Sequence, residues 1–162
     1  MKSTLISALK QAGQIHLESF GNSMQESVKE SISSVVTYVD LQSEKAIIEI
    51  ILSAFPKHNI LSEECGYIYN HSNYTWVIDP IDGTSNFAAG IPWFGVIIAL
   101  FDNGMPVMGG SYLPVTDDLY FAELGKGAYL NNKQILMPKK ELKDVLFSFS
   151  TDFTNNEVSL NK

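Results

Sequence analysis

The sequence predicts an α+β domain in which a helix pair packs on an antiparallel β-sheet. Three observations carry this. Apolar residues recur at helical spacing up to Phe55. Beyond residue 59 that spacing gives way to short β-branched runs. Between two of those runs lies Asp102-Asn103-Gly104, a strong hairpin signal.

The elements follow in order. Leu5, Leu9, Ala12, His16 and Phe20 share one face of a helix over residues 3–20, and Gly21-Asn22 stops it. Residues 22–36 are Ser-rich and read as a loop or a loosely held hairpin. A second helix runs from Asp40 to Phe55, with Ile47, Ile50, Ile51 and Ala54 as its buried stripe and Pro56 after its end. Asn59–Leu61 and Thr75–Asp79 read as short buried strands. Residues 94–101 and 105–112 form the hairpin around Asn103-Gly104, and Leu119–Leu124 pairs with Gly127–Leu130 around Gly125-Lys126-Gly127. Trp93 and Phe94, after Pro92, read as core residues. Residues 139–143 form a charged linker, and 145–150 a strand with nothing to pair to. Such an edge is a liability in a finished fold. The organisation expected is therefore a domain over 1–143 and the start of a second over 144–162, with the sequence stopping before the fold does.

The chain of 162 residues is 45% hydrophobic, enough for one domain with its own core. Its net charge of −7 and pI near 4.8 argue against nucleic acid and anionic membranes as partners. The longest apolar run, Val96 to Phe101, is too short to span a bilayer. Cys65 is the single cysteine, so no intrachain disulfide forms, which suits the cytoplasm.

The chemistry centres on Asp79-Pro80-Ile81-Asp82-Gly83-Thr84-Ser85. Two carboxylates leave an apolar strand together, and a glycine and hydroxyl residues follow. Carboxylates at a strand end can hold a divalent cation, and the N–H groups of Gly83, Thr84 and Ser85 can hold a phosphate at a helix start. A purely structural reading has Asp82 capping that helix and Pro80 stiffening the turn. Glu63 and Glu64 follow the Asn59–Leu61 strand, as a solvated acidic loop or as further ligands. Thr37-x-x-Asp40 is a capping-box pattern, or else Asp40 accepts a hydrogen bond from a water near the cations. His16 reads as a helix-face residue, and His58 and His71 as loop residues with no shared ligand spacing. Cys65 lacks a histidine partner, and Gly125-Lys126-Gly127 lacks the rest of a P-loop.

These residues resemble the inositol monophosphatase family of Mg²⁺-dependent, lithium-sensitive sugar phosphatases. The match rests on Asp79-Pro80-Ile81-Asp82-Gly83-Thr84, reinforced by Glu63-Glu64, Thr37…Asp40, Phe55-Pro56, Gly90-Ile91-Pro92 and Gly125-Lys126-Gly127-Ala128, and it runs over nearly the whole chain. The resemblance implies the N-terminal part of a layered αβαβα fold. It implies two or three Mg²⁺ ions, with Glu63, Asp79, the Ile81 carbonyl and Asp82 as ligands. Glu64 would lie just outside them. Gly83, Thr84 and Ser85 would take the substrate phosphate, and Asp40 with Thr84 would polarise the attacking water. Lys29 falls where relatives carry a lysine on a mobile loop.

The implied reaction is hydrolysis of inositol monophosphate, or a similar small sugar or polyol phosphate, by direct water attack. Fructose-1,6-bisphosphatase, 3′-phosphoadenosine nucleotide phosphatase and histidinol-phosphate phosphatase share the motif and stand as alternatives, as does a catalytically impaired metal-binding protein. A homodimer is the expected assembly. Three departures from the resemblance are expected to matter: alanine at Ala89 where relatives are polar, no later Trp-Asp motif, and only the start of the second domain. Little turnover is therefore expected of the 162 residues by themselves.

Overall fold

The computed structural model describes residues 1–20 and 32–136. The expectations for 22–31, Lys29, the linker at 139–143, the strand at 145–150 and the domain boundary at 143/144 lie outside the described residues.

Helix α1 spans Lys2–Ser19 and buries Leu5, Ala8, Leu9, Ala12, Gly13 and His16, a stripe at helical spacing. Helix α2 spans Ile32–Ala54, so it begins eight residues before the expected Asp40. Serine and β-branched valine are weak helix formers and hid this start, which is held by Val36 and Val39 packing with Ile81, Phe87 and Phe94. The buried side of α2 carries Val39, Asp40, Ser43, Glu44, Ile47 and Ile51, whereas Ala54 is exposed and Ile50 only partly buried.

Among the described residues eight strands form one sheet, in the order β2-β1-β3-β4-β5-β6-β7-β8. They are β1 (Asn59–Ser62), β2 (Gly66–Ile68), β3 (Tyr74–Asp82), β4 (Gly95–Asp102), β5 (Met105–Leu113), β6 (Asp118–Glu123), β7 (Gly127–Leu130) and β8 (Lys133–Ile135). From β3 onward the sheet is the antiparallel meander expected, with the Asn103-Gly104 and Gly125-Lys126 turns in place. The short strands β2 and β8 were not foreseen. Nor was the parallel pairing of β1 with β3, which arises because the chain makes a hairpin excursion through β2 before returning on the far side of β1.

Helices α1 and α2 pack together on one face of this sheet. Leu5, Leu9, Ile47 and Ile51 meet Ile60, Trp76, Ile78, Ile98, Leu100 and Phe121 in the main core. Gly110 lets α1 come this close: a Cβ there would lie 2.8 Å from Leu9 Cδ1 and 2.9 Å from Leu5 Cδ2. A smaller cluster of Val39, Ile81, Phe87 and Phe94 sits at one end of the sheet. No helix among the described residues is long and apolar enough to cross a membrane.

Candidate metal and phosphate site

The parallel pair β1 and β3 ends on the same side of the sheet, and the acidic residues gather there. Ligands in α/β sheets commonly bind beyond the carboxyl ends of parallel strands. Glu63 and Glu64 lie in the exposed turn that leaves β1. Asp79 and Asp82 lie in the last part of β3. Asp40 comes from the buried side of α2 and is 6% exposed.

The Asp79–Asp82 segment has its shape because of a bulge. Asp79 pairs with Ile97 and Asp82 with Gly95, so β3 holds one residue more than β4 across that interval. Pro80, which has no N–H to give a ladder, is tolerated at such a point. The bulge resets the alternation: Pro80 and Ile81 are both buried, and Asp82 emerges exposed. The Ile81 side chain enters the Val39–Phe87–Phe94 cluster, which fixes its backbone. Gly83 follows at φ 87°, a conformation that favours glycine, and starts a short helix, α3 (Thr84–Ala88). Its first bond runs from the Phe87 N–H to the Gly83 carbonyl at 3.0 Å. The N–H groups of the first turn have no acceptor inside the helix.

Neither capping reading holds. Gly83, not Asp82, is the N-cap of α3, with no side-chain cap bond. Thr37 and Asp40 both lie well inside α2, where a capping box cannot form.

The carboxylates feel one another. Burial raises the Asp40 pKa to about 7, with added repulsion from Glu64, Glu63, Asp79 and Glu44. Burial raises Asp79 to about 6, with repulsion from Glu63 and Asp82, partly offset by the Ile81 N–H. The ion pairs Lys10–Asp117 and Lys126–Glu123 involve none of these groups. Asp79 Oδ1 is buried and accepts no hydrogen bond from the described residues. A buried carboxylate oxygen without a donor is costly, and a hard cation is the partner such a donor set suits. The carboxylates nonetheless interact across space and do not form a closed cage: among the described residues no group of three or more His, Cys, Asp or Glu side chains is gathered as a metal site.

A cavity of about 450 Å³ opens beside them, lined by Asp82, Gly83, Thr84, Ser85, Asn86 and Trp93 among others. Here the expectation for Trp93 fails. It is 66% exposed, and Phe94 takes the core position. The loop carrying Trp93 is held by its main chain: its carbonyl accepts from Asn86 Nδ2 at 2.7 Å.

Glu44 escaped the sequence reading, and His16 lies on the helix face expected of it but in an unusual setting. His16 is fully buried, edge-on to Phe87 and Phe94, and neither ring nitrogen makes a sound hydrogen bond. Burial lowers its pKa to about 4, with a small opposing effect from the Pro80 backbone. Glu44 is 5% exposed and accepts the Cys65 N–H through Oε1 at 2.9 Å. Its spacing of one helical turn from Asp40 was the available signal.

The sequence pattern of the inositol monophosphatase family matches residues 1–160. A protein of Aquifex aeolicus named fructose-1,6-bisphosphatase/inositol-1-monophosphatase is 42% identical over 130 residues, covering 80% of this chain and 49% of its own. The Nus factor SuhB of Vibrio cholerae is 34% identical over 162 residues, covering 98% of this chain and 61% of its own. The crystal structure of the suppressor protein suhB from Bartonella henselae superposes with a TM-score of 0.73 at 34% identity, covering 82% of this chain and 52% of that one. The chain thus spans about half the length of the relatives it matches. With its helix pair on a mixed sheet and its acidic strand ends, the chain belongs to the inositol monophosphatase family.

Proposed function

We propose that the protein works as a Mg²⁺-dependent phosphate monoester hydrolase on inositol monophosphate or a similar small sugar or polyol phosphate. The observation that carries this is the buried Asp79 Oδ1 at the β3 bulge, without a hydrogen-bond partner among the described residues, while burial and neighbouring carboxylates raise the pKa of Asp79 and of Asp40. Glu63, Asp79, the Ile81 carbonyl and Asp82 would hold the cations, with Glu64 behind them. Bound Mg²⁺ supplies an acidified water and charge stabilisation for the leaving alkoxide.

The remaining tasks fall to the chain itself. The main-chain N–H groups of Gly83, Thr84 and Ser85 take the phosphate oxygens at the start of α3. Asp40 accepts a proton or hydrogen bond from the attacking water, and Thr84 orients that water. Trp93, exposed at the cavity wall, gives a flat apolar face to the polyol ring. The same reading carries a cytoplasmic homodimer.

A fructose-1,6-bisphosphatase-like range is the second reading, favoured by the name of the Aquifex relative. Calorimetric Mg²⁺ titration with a phosphate-release assay on both substrates tests the proposal. Asp79→Asn is expected to lower Mg²⁺-dependent turnover by more than the ~10–100-fold loss seen for an outer partner of a metal ligand. Unchanged turnover in that variant overturns the assignment.

A further inference from the structure

The acidic turn is tied to the helix layer by a residue that the chemistry above does not use. Glu63, Glu64 and Cys65 are all exposed, and the turn is closed at its base by the Ser62–Gly66 pair. From behind, Glu44 of α2 accepts the Cys65 N–H at 2.9 Å. Glu44 is buried, as is Asp40 one helical turn earlier.

Stability does not favour this arrangement. Like charges four residues apart on a helix repel, and burying a carboxylate is costly unless it is well bonded. A leucine at this position would be buried without that cost. What Glu44 does provide is a charge-assisted hydrogen bond to a main-chain N–H directly after the two glutamates.

We propose that Glu44 is a positioning residue, whose hydrogen bond to the Cys65 N–H fixes the Glu63–Glu64 turn within reach of Asp40 and Asp79. The inference builds on the metal-site reading, but the clamp can be tested separately from it.

The test compares Glu44→Gln, which keeps an acceptor and drops the charge, with Glu44→Ala, which drops both. Amide hydrogen exchange at Cys65 and calorimetric Mg²⁺ affinity are measured in each. In Glu44→Ala, Cys65 protection is expected to be lost and Mg²⁺ affinity to fall ~10–100-fold, the range for outer partners of metal ligands. Glu44→Gln is expected to keep Cys65 protected and to retain most of the affinity. If Glu44→Ala does not fold, Glu44→Asp replaces it: the charge stays but the acceptor retracts by one methylene, and Cys65 protection should again be lost. Unchanged Cys65 protection without the acceptor overturns the clamp. Equal affinity losses in the Gln and Ala variants overturn positioning in favour of a pure charge effect. A wild-type chain that binds no Mg²⁺ overturns the site reading instead, and Cys65 exchange still decides the clamp.

Discussion

The helix-covered middle of the sheet and the carboxyl end of β1 and β3 are built on opposite principles. In the middle, Leu5, Leu9, Ile98 and Leu100 are fully buried, and the one polar atom of Trp76 is satisfied by donating to His58 Nδ1 at 3.0 Å. His58 in turn stacks between Phe55 and Tyr74. Near the strand ends, the Ser62 hydroxyl, Asp79 Oδ1 and the Ser43 hydroxyl of α2 are buried without hydrogen-bond partners among the described residues. Each such group costs of order 1–3 kcal/mol. One region therefore supplies stability, and the other is held in an unfavourable state by it. That is the expected division where binding chemistry sits on a rigid scaffold.

The sharpest way to break this contrast is to damage the middle. Trp76→Ala removes a fully buried indole, and a loss of about 3–5 kcal/mol is expected in urea unfolding. A loss below 1 kcal/mol would mean that the middle is not the stabilising half.

The next effect comes from His16. Its folded pKa, about 4, lies below the ordinary 6.5, so the unfolded chain takes up the proton first. The stability it permits is full above pH 6.5 and is lost as the pH falls toward 4, by on the order of 3 kcal/mol. His16→Leu should lack this acid loss, measured as the difference from wild type in unfolding free energy at pH 7.5 and pH 4.5.

Asp40 contributes with the opposite sign. Its shift is the larger of the two, but part of it is repulsion among solvent-facing carboxylates that water and salt screen, so the effect on stability is smaller. Its folded pKa is raised to about 7, so stability falls as the pH rises from the ordinary carboxylate range through 7. In Mg²⁺-free buffer, Asp40→Asn should gain on the order of 1–2 kcal/mol at pH 8 and nothing at pH 4. Because the two groups oppose each other, the wild-type profile is expected to be flatter than either variant's. A steep wild-type profile would show that one of the two is misassigned.

Much of the site was legible because it is local. Asp79 through Ser85 lie within one turn of chain, and their residue types declare both a strand end and a helix start. The hairpin at Asn103-Gly104 was legible for the same reason. What could not be read depends on distant contacts. The early start of α2 depends on Val36 and Val39 packing into the cluster of Ile81, Phe87 and Phe94. The parallel pairing of β1 with β3 depends on the path through β2. Trp93 and Phe94 are adjacent and alike in type, and only the packing of Phe20 and Phe87 against Phe94 decides which ring is buried. Glu44 looked like any glutamate on a helix until the turn it grips was in place.

The single extra residue in β3 lets one strand serve two masters. Up to Ile78 its register answers to the scaffold, and past Asp79 it answers to the chemistry. Side chains beyond that seam are free to drift toward new substrates while the scaffold keeps its count. Dropping Pro80 would hand Asp82's outward slot to its neighbours and turn every later group about. A change of length at that seam would move every later group, whereas an exchange of side chain leaves the register as it is.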